Sequence, residues 1–216
     1  LLLKQALKIT EIALGVTHPV MGRRLNDLAA LFYRQGNYEE AEPLYKRALQ
    51  IREATLGSDH PNTATIRGNL GLMYKQQGRY FEAETIYKRV LQIMENALGV
   101  DHPYTAMALT NMGSLYSSQG HYSLAKSFYE RAFDIMLKAY GADNVHTNKI
   151  LGNLADIHYF QKQYDEAATL YNKILGFVEK KFGANSIQTA ATLNDLGALY
   201  LNQNKFLETE SAFLRV

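Results

Sequence analysis

Five glycines stand 42 residues apart: Gly15, Gly57, Gly99, Gly141 and Gly183. The same step links Tyr38, Tyr80, Tyr122, Tyr164 and Phe206, then Ala41, Ala83, Ala125 and Ala167, then Tyr45, Tyr87, Tyr129, Tyr171 and Phe213. A fixed period constrains a fold more tightly than composition does, because one supersecondary unit must be built again and again. Within one unit, residues 19–35 place Leu25, Leu28, Leu31 and Phe32 at helical spacing and stop at Gly36, which predicts a first helix, A. Residues 38–56 carry Ala41, Leu44, Tyr45, Ala48, Leu49 and Ile51 on one stripe with Gly57 just beyond, which predicts a second helix, B. Pro43 lies near the start of B, where a missing N–H is expected to cost little.

In this frame residues 1–15 are a partial helix B, aligned with 43–57, and repeats start near 18, 60, 102, 144 and 186, the last truncated at 216. Eleven helices and no strands are expected. The opening LLLKQAL has neither an initiating Met nor a signal-peptide pattern, so the sequence reads as an excerpt of a longer chain. One A–B pair cannot bury its apolar face alone, and neighbouring pairs must stack. Small residues at Ala29, Gly71, Gly113, Ala155 and Gly197 allow B to approach A, while the Tyr45 column fills the space between pairs. The expected fold is all-α, a right-handed superhelical α-solenoid of antiparallel helix pairs forming one array over 1–216, with the A helices on the concave side.

These columns carry a resemblance. Small residues at 29 and 41, Tyr45 and Ala48, with Leu28 and Phe32 between helices, resemble the tetratricopeptide repeat, whose standard unit is 34 residues. The 42-residue form, with its longer helix B and the phrase NYEEAEPLYKRALQIREATLGSDHPNTA at 37–64, is similar to the repeats of kinesin light chains and of many bacterial proteins. HEAT and armadillo arrays have a comparable period, but the small and aromatic columns fit them less well.

Candidate chemistry can be weighed in that frame. His18, His60 and His102 recur in LGVTHP, LGSDHP and LGVDHP, yet neighbouring repeats lie about 10 Å apart, whereas zinc holds its ligands at about 2 Å. The fourth and fifth repeats read YGADNV and FGANSI there, and Asn and Ser are good N-caps. The motif is therefore read as a joint, in which Gly57 takes a left-handed conformation, His60 caps helix A and Pro61 fills its first turn. No metal or other cofactor is expected. Without Cys or a Gly-x-Ser-x-Gly turn, and with glycines occurring singly, no nucleophile or phosphate loop is expected, and the chain reads as a non-enzyme. Lys and Arg number 23 against 21 Asp and Glu, far from a nucleic-acid binder's excess, and no apolar run approaches a membrane span. The absence of Cys suits a reducing compartment, and a cytoplasmic monomer is expected. His158 stands in the column of Phe32, Tyr74, Tyr116 and Tyr200 and is read as packed.

The helix A columns are the informative ones. One reads Asp27, Asn69, Asn111, Asn153 and Asp195. A carboxamide donates and accepts, so an Asn ladder can pair with the backbone of an extended peptide whatever its side chains. The kinesin light chain resemblance implies that task for Asn69, Asn111 and Asn153. The opposing reading is that these Asn bond the neighbouring helix and hold the stack. Around the ladder Arg23, Arg34, Lys75 and Lys149 are basic, Asp156 is acidic, and Tyr33, Tyr159 and Phe160 offer aromatic surface, with Arg67 a further cation. Such a groove suits an acidic partner segment with bulky apolar residues. A protein-interaction module is the expected function. An arm regulating another domain of the same chain, and a self-associating scaffold, are the alternatives.

Overall fold

The computed structural model describes residues 2–215. Among them lie eleven α-helices and no strand: α1 (Leu2–Leu14), α2 (Pro19–Arg34), α3 (Tyr38–Leu56), α4 (Pro61–Gln76), α5 (Tyr80–Leu98), α6 (Pro103–Ser118), α7 (Tyr122–Tyr140), α8 (Val145–Phe160), α9 (Tyr164–Phe182), α10 (Ile187–Asn202) and α11 (Phe206–Phe213). The chain forms two compact units, Leu1–Leu115 and Tyr116–Val216. In the first, α2 packs on α3 and α4 on α5, and α3 against α4 joins the two pairs. In the second the pairs are α8 with α9 and α10 with α11, joined by α9 against α10, while α7 packs on α8. The fold class is the expected one, an all-α solenoid type built from antiparallel helix pairs.

The joints follow from local chemistry. The Nδ1 atoms of His18, His60 and His102 accept the backbone N–H of Val20, Asn62 and Tyr104 at 3.3, 3.1 and 3.1 Å. Asn144 Oδ1 accepts from His146 N at 2.8 Å and Ser186 Oγ from Thr189 N at 3.2 Å. Each satisfies one of the donors that a helix start leaves open. One detail differs from the sequence reading. Gly57 has φ 92° and ψ 159°, outside the left-handed helical well and in an extended region that glycine alone occupies readily. A threonine column, unremarked in the sequence, then locks the joint: Thr63, Thr105 and Thr189 donate to the carbonyls of Gly57, Gly99 and Gly183 at 2.9, 2.7 and 2.8 Å. The Gly15 joint has Met21 in this column, and at the Gly141 joint the Thr147 hydroxyl is buried without a partner among the described residues, while Asn148 Nδ2 bonds Ala142 O at 2.5 Å and Asn144 O at 3.0 Å.

Two further expectations need correction. Pro43 leaves α3 unbroken from Tyr38 to Leu56, but it is the sixth residue of that helix, where Ala41 N already pairs with Asn37 O, so its missing N–H removes one intrahelical bond rather than none. Arg67 is no groove cation: its guanidinium pairs with Glu53 and donates to Ser58 O at 3.2 Å, back at the joint.

Packing centres on the small and aromatic columns. Tyr45, Tyr87, Tyr129 and Tyr171 are all buried, each contributing on the order of 1.5–3 kcal/mol of apolar burial. Burial pushes the Tyr45 phenol up to about 12 and raises those of Tyr87 and Tyr171 as well. A Cβ on Gly71 would meet Ile86 and Tyr87 atoms at 2.8 Å, which shows how closely α5 approaches α4. His158 is half-buried, with Nδ1 2.8 Å from Gln163 Oε1.

Candidate functional site

A recess on the helix A faces of the first unit and one on those of the second occupy corresponding positions two repeats apart. In the first unit α4 and α6 form the walls and α5 the floor of a recess of about 240 Å³, with Asn69, Leu72 and Asn111 beside Val90 and Met94. In the second unit α8, α10 and α9 form a cleft of about 440 Å³, with Asn153, Asp156 and Asp195 beside Ile174 and Val178. Each of these five pairs is separated by 84 residues. Both recesses are opened by a missing side chain in the same column, Gly68 in one and Gly152 in the other.

The Asn ladder is thus brought together within each unit, but its members differ. Asn69 Nδ2 donates to Asn26 Oδ1 on α2 at 2.9 Å, so this amide holds neighbouring A helices together. No side-chain hydrogen bond among the described residues involves Asn111 or Asn153, and both amides line their recess. Asp27 is half-buried on α2, while Asp195 is solvent-reachable on α10. Packed protein raises the Asp195 carboxyl above its ordinary range, and the nearby charge of Asp156 adds to the rise.

Next to the ladder the two units diverge. In the first, Lys75 Nζ donates to Ser114 Oγ at 2.6 Å, and surrounding protein lowers the ammonium below the usual lysine range. In the second, the matching residues are Tyr159 and Ala198. They border a recess of about 280 Å³ that also holds Asp156, Phe160, Tyr171 and Asp195. The Tyr171 hydroxyl donates to Asp156; packing nevertheless holds that carboxyl above its ordinary range, the hydrogen bond opposing the shift. Tyr159 accepts from Asn202 Nδ2 at 3.0 Å and meets Phe160 edge-on, with ring centres 5.6 Å apart.

The remaining sequence candidates are more dispersed. Lys149 lies exposed at the mouth of the larger cleft. Arg23 and Arg34 are exposed on α2 and Tyr33 is half-buried there, its phenol raised chiefly by burial; none of the three lines these recesses. Sequence reasoning missed the floor residues Val90, Met94, Ile174, Phe177 and Val178, because helix B positions were read only as core. It also missed Tyr104 and Met107, exposed on α6 at the first recess. The glycines at 68 and 152 were the available signal, since a helix A residue without a side chain uncovers the helix behind it.

Comparison with known proteins agrees with this architecture. The tetratricopeptide repeat model matches residues 2–54, 24–80, 66–138 and 146–216. Comparison of the sequence with curated proteins finds no match. Among solved structures, BtubC (BKLC) from P. vanneervenii superposes with a TM-score of 0.80 at 20% identity, over 99% of this chain and 84% of that one. Nearly identical TPR-like repeats from Podosopora anserina, named for kinesin light chain, give 0.76 at 21% identity, over 92% of this chain and 94% of theirs. Aspartyl phosphate phosphatase F from Bacillus subtilis gives 0.76 at 12% identity, over 95% of this chain and 52% of that one. At these identities the likeness is one of fold.

Proposed function

The chain belongs to the tetratricopeptide repeat family, whose members are generally protein–protein interaction modules, and we propose that it binds an extended segment of a partner protein along its helix A faces without catalysing a reaction. Asn111 and Asn153 would pair with the segment's backbone, and residues beside them would select its side chains. The observation that carries this reading is the free state of those two amides in recesses backed by apolar floors, in contrast to Asn69, which is bonded to Asn26. Lys75 supports an acidic residue in the segment held by the first unit: the ammonium is drawn out of water with a hydroxyl rather than a carboxylate beside it, and an incoming carboxylate would supply the missing charge. Micromolar affinity, about −8 kcal/mol, suits a segment that must be ordered on binding. No helix among the described residues is long and apolar enough to cross a membrane. The proposal takes the chain as a cytoplasmic, monomeric array with repeats from near 18, 60, 102, 144 and 186.

Substitution separates ladder from scaffold. Asn111→Ala and Asn153→Ala should weaken capture of an acidic, aromatic-containing peptide while leaving the melting temperature nearly unchanged. Asn69→Ala should lower the melting temperature instead. Unaltered peptide affinity in the Asn111/Asn153 double variant would remove the backbone-pairing role.

A further inference from the structure

The acidic recess of the second unit is the reverse of the Lys75 site. At its two wall positions the first unit has Leu72 and Asn111, and the second has Asp156 and Asp195. Where the first unit sets Lys75 beside Ser114, the second has Tyr159 beside Ala198. Two carboxylates and three aromatic rings, Tyr159, Phe160 and Tyr171, therefore surround one space of about 280 Å³. Among the described residues neither carboxylate is paired with a Lys or Arg; the ion pairs of this unit include Lys126 with Glu130, Lys180 with Asp143, Lys205 with Asp165 and Arg215 with Glu179. Among the described residues the one hydrogen bond that either carboxylate accepts comes from the Tyr171 hydroxyl, to Asp156. Lys149 is the cation nearest in sequence on α8, and it stands two turns before Asp156, at the mouth of the other cleft.

Asp156 and Asp195 are both open to solvent at the recess, and two carboxylates on one space repel each other, so a cation placed between them relieves that repulsion. Aromatic faces add attraction for the same charge, most for a guanidinium or ammonium that has left water. A metal ion would find only two carboxylates there, and no group of three or more His, Asp or Glu among the described residues could hold one. The recess shares Asp156, Tyr171 and Asp195 with the apolar cleft floored by Ile174, Phe177 and Val178. A ligand entering one is at the edge of the other.

Building on the reading of the chain as a peptide-binding module, we infer that the second unit selects a partner segment in which an Arg or Lys is followed closely by a bulky apolar residue. The cationic side chain enters between Asp156 and Asp195 under Tyr159, and the apolar one enters the cleft over Phe177. The first unit, with Lys75 at the equivalent place, has the opposite preference.

Fluorescence anisotropy on the full 216-residue chain tests this with three labelled nonapeptides, each Gly/Ser with a single Phe two residues after a single Arg, Gln or Glu. Protein variants are Asp156→Asn with Asp195→Asn, nearly isosteric and keeping an acceptor for Tyr171, and separately Lys75→Gln. The Arg peptide should bind the unaltered chain about tenfold more tightly than the Gln peptide, roughly the worth of one desolvated cation–aromatic and carboxylate contact. The double Asn variant should lose that preference, and Lys75→Gln should keep it. Equal binding of Arg and Gln peptides, a preference surviving in the double variant with circular dichroism unchanged, or no binding of the Arg peptide would each overturn the inference. If the Glu peptide alone binds and depends on Lys75 and Asn111, the broader peptide-binding reading stands while this one falls. If Arg selectivity appears but is indifferent to Asn153→Ala, the charge recognition stands and the backbone ladder falls.

Discussion

The two units keep one scaffold with different tolerances. In the first, every joint has His-Pro, and both A–B turns contain glycine at positive φ, Gly36 at 76° and Gly78 at 73°. In the second, the caps are Asn144 and Ser186 with no Pro, and the corresponding turn residues are Gly120, Lys162 and Asn204, the last two at φ 62° and 58°. What stays constant is Gly at the end of each helix B, with φ from 79° to 100°. The difference separates what the fold demands from what it accepts. A cap needs only a side-chain acceptor, which His, Asn or Ser supplies, and a left-handed turn tolerates Lys or Asn at a cost. The extended, positive-φ exit from helix B has no substitute for glycine. Recess residues answer to neither demand, which is why Leu72 and Asn111 in one unit can be Asp156 and Asp195 in the other while Tyr87 and Tyr171 stay buried in both.

If the helix B exit is the invariant element, Gly57→Ala and Gly141→Ala should be the most damaging of the joint substitutions, and about equally so in the two units. Open space surrounds both glycines, so the cost is backbone strain alone, about 1–3 kcal/mol each. Urea denaturation should show a lowered midpoint. A neutral result in one unit would mean that its joint relaxes to another conformation and that the constancy of glycine has a different origin.

The caps should come next. His60→Ala and Asn144→Ala each remove one side-chain acceptor and should each cost about 1 kcal/mol. Equal losses would establish that the two residue types do one job. A distinctly larger loss for His60 would show that the His-Pro motif contributes something beyond capping. At the turns the signs oppose: Lys162→Gly should stabilise by about 1 kcal/mol and Gly78→Lys should destabilise by a similar amount, because only the side chain's clash in the left-handed region changes.

Much of this was legible in the sequence because repetition supplies its own control. Five copies of one unit mark helices A and B almost to the residue, and the loss of His-Pro at Asn144 and Ser186 identifies the motif as a cap. What escaped detection depends on three-dimensional direction. The helical stripe says that Arg67 replaces a leucine, yet not that its guanidinium turns back to Glu53. Asn69 and Asn111 are indistinguishable in the ladder, and only the reach of Asn26 separates a scaffold amide from a free one. The recesses were hidden for a related reason: a helix B side chain such as Val90 is core along most of its surface, and a glycine on another helix is what bares the rest.

The smallest effect concerns Gly176, where the second unit breaks a helix rule that the first keeps. Gln50 and Gln92 hold this position in α3 and α5, whereas α9 has glycine in its interior. In many helices such a glycine marks a close approach, as Gly71 does. Here an added Cβ would meet nothing within 4 Å and the residue is exposed, so packing gives no reason for it. The helix bears the entropic cost without return. Gly176→Ala should therefore raise stability by about 0.5–1 kcal/mol, read as a higher urea midpoint with an unchanged slope. Slower amide exchange should appear in α9 ahead of other helices. Because α9 floors the larger cleft, peptide affinity in the same variant carries a second answer. Unchanged affinity would make the glycine a dispensable irregularity, while weaker binding in the stabilised protein would show that α9 must bend when the cleft is filled.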